Sequence, residues 1–329
     1  MKKLINNPQD VVKEMLQGMI ASNQNLKLCV EEDVIIRKNL TKKVTLVSGG
    51  GSGHEPAHAG FVGFGMLDAA VCGAVFTSPT PFQVYKAIEE VNQGMGVLLV
   101  IKNYTGDVLN FEMAMDMAKD NNIKVASVLV DDDIAVEDSL YTVGKRGVAG
   151  TILVHKIAGA LAEKGESLES IQRIATDVVA NMATMGLSLG PCIVPASGKP
   201  SFELAENEME VGLGIHGEPG VYRDKIKTAK ESAELLLNKV INHLKLSSGE
   251  EVCLLVNGLG GTPMMELSIM NNEFHKILKA KNIKVIKNLV GNYMTSLEMP
   301  GISVSLLRMK NEFKEPLLAK ANTDFYKEF

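Results

Sequence analysis

No apolar run in this chain approaches the roughly 18 residues needed to cross a bilayer, so a membrane-spanning protein is not expected. The opening MKKLINNPQDVVKE has two lysines followed only by Leu4 and Ile5 before polar residues resume, which leaves no apolar core for a signal peptide. Lys and Arg form neither a block nor a stripe and the net charge is −5, so neither nucleic acid nor an anionic membrane surface is an expected partner. The four cysteines, Cys29, Cys72, Cys192 and Cys253, lie far apart without a CxxC or Cys/His ligand spacing. Reduced, mostly buried thiols and a cytoplasmic setting follow. Internal repeats and low-complexity segments are also missing.

What is present is the composition of a globular protein, 46% hydrophobic and 22% charged, in 329 residues, long enough for two cores. A helix is expected near 8–21, with Pro8 in its first turn, Asn7 as its cap and Val11, Met15 and Met19 on one face. Strand-like runs at 43–49, 69–76, 96–104 and 123–130 alternate with helical patterns at 79–94 and 109–122. That order predicts an α/β fold whose first sheet is largely parallel and flanked by helices. Helices are expected at 151–165 and 167–186, the second capped by Ser167 with Glu169 in its first turn. A loop-rich passage with Gly190, Pro191, Pro195, Gly198 and Pro200 follows, and the division between two α/β domains, 1–183 and 184–329, is set just before it, near residue 184. Beyond it come a strand at 209–217, a strong helix at 227–245, a strand at 251–261, a helix near 263–281, strands near 283–290 and 302–308, and a short helical end.

Two segments carry the chemistry. GGGSGHEP at 49–56 and VGLGIHGEPG at 211–220 each hold one histidine in a run of glycine followed by Glu-Pro. Glycine removes side-chain bulk and permits φ > 0, so His54 and His216 can each approach something small. His155 and His243 lie inside helical patterns and read as core histidines. Between the Gly-rich segments, IKNYTGD ends on Asp107, expected as an exposed carboxylate beside the first of them. One carboxylate and two imidazoles on Gly-rich turns suit proton transfer on a small polar substrate.

Other readings of the same residues are weaker. GGGSGHEP has Pro56 where a dinucleotide loop needs Gly or Ala, and no Gly-Lys-Ser/Thr occurs for a phosphate loop. NGLGGTP at 257–263 reads either as an anion cradle or as a tight strand-to-helix turn with Pro263 in the first helical turn. A metal site from His54, Glu55, His58 and Asp107 is a minority reading, because the glycines place His54 on a loop and His58 at a helix start. Ser52 lacks the GxSxG frame of a nucleophile. The acidic turn DDDIAVEDS at 131–139 offers oxygens for Mg²⁺ but reads more simply as a solvated loop, and Lys145 and Arg146 after it as docking or helix-capping groups.

GGGSGHEPAHAGFVG, FTSPTPFQVYKA, IKNYTGDVLNFEMA, GKRGVAGT, ENEMEVGLGIHGEPG and NGLGGTPMMEL occur in the order found in dihydroxyacetone kinases. Through nearly its whole length the chain resembles that family, and within it the dihydroxyacetone-binding K subunit. The resemblance implies that His216 holds dihydroxyacetone covalently, as a hemiaminal between an imidazole nitrogen and C2, which requires a carbonyl and excludes glycerol. It implies that His54 and Asp107 orient and deprotonate the hydroxyl that attacks the phosphoryl group. Gly51, Ser52, Gly53 and Lys102 then line the substrate, the backbone of 51–53 and Lys102 bonding its oxygens, with no metal in this chain.

Single-chain members of the family append an all-helical nucleotide domain, whereas this sequence ends at Phe329. The resemblance therefore implies no cofactor in this chain and a phosphoryl donor in trans. That donor is an L subunit carrying ADP with Mg, recharged from phosphoenolpyruvate through the phosphotransferase system's phosphoprotein M subunit. A homodimer and the product dihydroxyacetone phosphate are also implied. The main rival is a non-catalytic dihydroxyacetone-sensing co-activator, which needs the hemiaminal histidine but not the base. A metal-dependent ketose lyase rests only on His54, His58 and Asp107.

Overall fold

The computed structural model describes residues 2–136 and 144–329. The part of the acidic turn after Val136, and Tyr141, Thr142 and Val143 of the segment that follows, lie outside the described residues.

The first sheet has six strands: β1 (Leu26–Cys29), β2 (Val34–Arg37), β3 (Thr45–Ser52), β4 (Ala69–Val75), β5 (Val97–Lys102) and β6 (Val125–Val130). Their order is β1-β2-β4-β3-β5-β6, with β4, β3, β5 and β6 parallel and the β1/β2 hairpin antiparallel at one edge. The expected largely parallel sheet is therefore present. Helices α1 (Val11–Ser22), α2 (Pro81–Val91), α3 (Thr105–Asp120), α4 (Thr151–Lys164) and α5 (Leu168–Ala180) accompany it. Val84, Ile88, Phe111 and Ala114 of α2 and α3 close one face of the sheet, and Ile152, Leu153 and Ile171 of α4 and α5 pack with Leu46, Leu98 and Val100 on the other.

The second sheet comprises β7 (Met182–Ser188), β8 (Glu208–Val211), β9 (Tyr222–Lys225), β10 (Glu251–Gly258), β11 (Lys284–Gly291) and β12 (Gly301–Arg308), in the order β11-β10-β12-β7-β8-β9. Only β10 and β11 are parallel. Alternation along β10 sends Val252, Leu254 and Val256 under α6 (Ala229–Leu244) and α7 (Met264–Ala280). It turns Cys253 and Leu255 the other way, into the cluster shared with α4 and α5. The last helix, α8 (Asn311–Leu318), returns to α4, where the buried Lys156 ammonium donates to the Pro316 carbonyl at 2.6 Å. A two-residue pair, β13 (Ala321–Asn322) with β14 (Lys327–Glu328), ends the chain.

Helix starts follow side-chain chemistry. Thr80 with Gln83 and Thr228 with Glu231 form capping boxes at α2 and α6, and Ser167 caps α5 as expected. At α1 the cap position is Asp10, not Asn7, and Pro8 lies in the turn before the helix. The expected helix at 167–186 is corrected: it stops at Ala180, and Met182–Ser188 is a strand held between β12 and β8. The apolar spacing of MATMGL suits either form, and ladder pairing on both sides decides it. The four cysteines are free, with Cys72, Cys192 and Cys253 buried. Among the described residues no helix is long and apolar enough to cross a membrane.

Candidate active site

The carboxyl ends of β3 and β5 lie next to each other, the position where α/β sheets gather ligand groups. GGGS, expected as a loop before a helix, is instead the last four residues of β3, and His54 follows after Gly53. β5 ends on Lys102, and α3 begins at Thr105, four residues earlier than expected, so Asp107 stands in the first helical turn. His216 comes from the far side, on the loop after β8. The structure thus brings together three side chains that are 53 and 109 residues apart in sequence.

His54 is fully buried, and its Nδ1 lies 2.8 Å from the Thr295 carbonyl. A carbonyl only accepts, so Nδ1 carries the proton and the lone pair is on Nε2. That Nε2 faces Nε2 of His216 at 3.2 Å. Phe76 stacks on the His54 ring at 5.2 Å, while Tyr104 meets His216 edge-on at 4.4 Å. Burial pushes both imidazoles well below the usual histidine range, helped at His54 by the Lys102 ammonium and at His216 by His54. Neutral rings are what nucleophile and base roles require.

Asp107 is buried rather than exposed, at 2% accessibility, because the first turn of α3 tucks it against Lys102, itself fully buried. Lys102 Nζ and Asp107 Oδ2 are 3.8 Å apart. Among the described residues neither Lys102 Nζ nor Asp107 Oδ1 has a hydrogen-bond partner, nor has the Tyr104 hydroxyl. Unsatisfied buried groups of this kind are costly unless a ligand completes them. Burial raises the Asp107 carboxyl and Lys102 opposes the rise. A cavity of about 280 Å³ opens onto the group, lined by Gly51, Phe76, Ser78, Tyr104, Asp107 and His216.

The Glu-Pro that follows each histidine has a common function. Glu55 folds back to accept the N–H of Gly53, at 3.0 Å, and Glu218 accepts the N–H of His216, at 2.8 Å. Each carboxylate thereby fixes the backbone of its own Gly-rich turn.

Other candidates go elsewhere. Ser52 turns its hydroxyl to the Gly73 carbonyl at 2.7 Å and is not a nucleophile in the cavity. His58 does not join His54 but pairs with His155, Nδ1 to Nε2 at 3.0 Å, so the proposed metal cluster does not converge. Among the described residues no group of three His, Cys, Asp or Glu is arranged to hold a metal. His243, expected in the core, is exposed on α6. Asp132 and Asp133 of the acidic turn are buried, not solvated, and accept from Val148, Gly150, Thr184 and Arg146. NGLGGTP is a strand-to-helix turn with Pro263 at the cap of α7.

The reading of single residues missed Phe76, Ser78, Tyr104 and Thr295. Phe76, Ser78 and Tyr104 lie inside FTSPTP and IKNYTGD, the motifs of the resemblance. Thr295 contributes its backbone carbonyl and N–H and its hydroxyl, and carries no sequence signature.

Residues 17–325 match the Dak1 domain. The chain is 53% identical over 314 residues to the PTS-dependent dihydroxyacetone kinase 1, dihydroxyacetone-binding subunit DhaK of Listeria innocua, with 95% of each chain covered. Among solved structures it is similar to the dihydroxyacetone kinase operon co-activator Dha-DhaQ, with a TM-score of 0.92, 38% identity, and 96% and 98% of the two chains covered. It is also similar to the dihydroxyacetone kinase of C. freundii in complex with AMP-PNP and Mg²⁺, with a TM-score of 0.89 and 34% identity over 99% of this chain and 61% of that one. The chain belongs to the Dak1 domain family, which it shares with the dihydroxyacetone-binding subunits of dihydroxyacetone kinases.

Proposed function

We propose that this chain is the substrate-binding subunit of a phosphotransferase-dependent dihydroxyacetone kinase. The observation that carries the reading is the pair of imidazoles, Nε2 to Nε2 at 3.2 Å, of which His216 lines a small cavity together with Asp107. Addition of His216 Nε2 to the C2 carbonyl forms the N–C bond as the C=O π-bond breaks. The proton that leaves the imidazole ends, net, on the former carbonyl oxygen, giving the hemiaminal. Gly51, Ser52 and Gly53 through their backbone, with Lys102, bond the substrate's oxygens. A terminal hydroxyl then attacks the donor's phosphoryl group, its proton passing to the His54/Asp107 pair as the bond from phosphorus to the nucleotide's leaving oxygen breaks.

The donor in this reading is an L subunit carrying ADP with Mg, recharged from phosphoenolpyruvate through the M phosphoprotein, and the chain works in the cytoplasm as a homodimer. Two units are proposed, 1–183 with the His54 segment and 184–329 with the His216 loop. In support, every strand of the second sheet lies after Asn181, although the division at 183/184 cuts into β7, which pairs with β12 from Met182 on, and α8 returns to α4.

The test is transfer of labelled phosphate from phosphoenolpyruvate to dihydroxyacetone with this chain and purified L and M components. Formation of dihydroxyacetone phosphate, dependent on this chain and not supported by ATP in the absence of the L subunit, is expected. Binding of dihydroxyacetone with no phosphate transfer in the complete system overturns the kinase reading in favour of the co-activator. That alternative has the similarity to Dha-DhaQ behind it, and against it the presence of both His54 and Asp107, which sensing does not need.

A further inference from the structure

The loop that carries His216 is held from beneath by one guanidinium. Arg146 Nη2 donates to the Gly212 carbonyl at 2.9 Å, and Nη1 reaches Oε1 of Glu218 at 3.3 Å. The second oxygen of that carboxylate is the acceptor for the N–H of His216. Arg146 is in turn fixed through its Nε, which donates to Asp133 at 2.7 Å. Arg146 and Asp133 are 2% exposed and Glu218 9%, so these ion pairs work where water does not compete for them. Arg146, expected as a docking or helix-capping group, is instead spent on Asp133, Glu218 and the Gly212 carbonyl.

The glycine pattern of the loop fits this support. A Cβ on Gly214 would lie 1.6 Å from Glu218 Oε1, so only glycine lets the carboxylate fold back under the chain. The same glycines make the loop costly to order, since glycine loses the most backbone freedom on folding. A nucleophile on such a loop needs an external tether to keep its nitrogen on line with a carbonyl. Arg146 supplies a planar fork that reaches two points of the loop at once, which a lysine cannot.

We propose that Arg146 and Glu218 form a clamp that positions His216 for addition to the ketone. Neither residue lines the cavity, so both are positioning residues. The inference rests on the reading that His216 carries the ketone covalently.

The experiment follows [2-¹³C]dihydroxyacetone by ¹³C NMR as it is titrated into the full chain, wild type and variants, with thermal melting run alongside. Wild type should convert the carbonyl signal into that of a tetrahedral carbon. Glu218→Ala leaves Arg146 paired with Asp133, so the fold should persist while half-saturation of the tetrahedral signal rises about tenfold or more, the usual consequence of losing a hydrogen bond to a charged group. Glu218→Gln keeps an oxygen for the His216 N–H and should return to within a few-fold of wild type. A merely structural role would lower the melting temperature without moving half-saturation of the folded protein. Unchanged half-saturation in Glu218→Ala overturns the clamp. If that variant gives no cooperative melt, Arg146→Lys decides: it keeps the charge beside Asp133 and loses the fork, so the same rise supports the clamp and no change overturns it. A wild type without any tetrahedral signal overturns the covalent reading itself and the clamp with it.

Discussion

Lys102 and Asp107 face each other at 3.8 Å, Nζ to Oδ2, in a place where the protein leaves both short of hydrogen bonds. At that distance the ammonium favours the carboxylate form without immobilising it, and Asp107 Oδ1 remains free to receive a proton. The pair is a charged couple waiting for a polar ligand rather than a finished salt bridge.

Asp107→Asn tests the base directly. The amide preserves shape but cannot take a proton, and it leaves the Lys102 ammonium without its nearest anion. Turnover with the L subunit should fall by about 10² or more while dihydroxyacetone affinity stays within a few-fold. A kcat within a few-fold of wild type would remove Asp107 from the chemistry.

His54 and Asp107 are predicted to work on one proton. Each alone, as His54→Asn or Asp107→Asn, should cost turnover heavily. If they act as a unit, the double variant should be far less than multiplicatively worse. Fully multiplicative losses in steady-state kinetics would separate their roles.

Gly50 is the position of the first Gly-rich run where a side chain would meet the Lys102/Asp107 couple. Its φ is +151°, and a Cβ there would stand 3.0 Å from Lys102 Nζ and 3.3 Å from Asp107 Oδ2. Gly50→Ala should cost roughly 1–3 kcal/mol of stability from backbone strain. Displacement of the Lys102/Asp107 couple should lower turnover on the order of 10²-fold. Both are measurable on the folded variant, by urea unfolding and by kinetics; retained turnover would mean the couple tolerates displacement.

The histidines and Asp107 could be picked out because glycine runs and the NYTGD turn are unusual surroundings for titratable groups. What surrounds them could not. The acceptor for His54 is a backbone carbonyl 241 residues away, and no residue type marks it. The burial of Asp107 depends on where α3 starts, and helix boundaries are the least legible feature of a sequence. In the fold, the long parallel strands and the capped starts of the helices are legible from periodicity and side-chain chemistry, but the end of α5 is not. The four-residue strands β1, β2 and β9 were not, since such short runs hold too few residues for a pattern, and β9 is a mostly exposed edge. β7 was lost to a spacing compatible with helix, which only its neighbours resolve.

The last prediction concerns the buried imidazole pair behind the site. His155 is fully buried against His58, and burial, with the Lys102 ammonium second, pushes it down to about 3. In the unfolded chain histidine titrates near 6.5, on the order of its free value, so the unfolded state takes up this proton first as pH falls. Its contribution is therefore fully present above the unfolded value and is lost on acidification towards the folded one, at about 1.4 kcal/mol per pH unit. His54 and His58 are shifted in the same direction, again chiefly by burial. His155→Gln cannot take up that proton. Its fixed cost from altered packing is the same at every pH, so the difference from wild type in unfolding free energy should shrink by about 2 kcal/mol between pH 7 and pH 5. Urea denaturation of both proteins at the two pH values measures it. Parallel losses in wild type and variant would mean that His155 is already protonated in the folded chain or exposed to water.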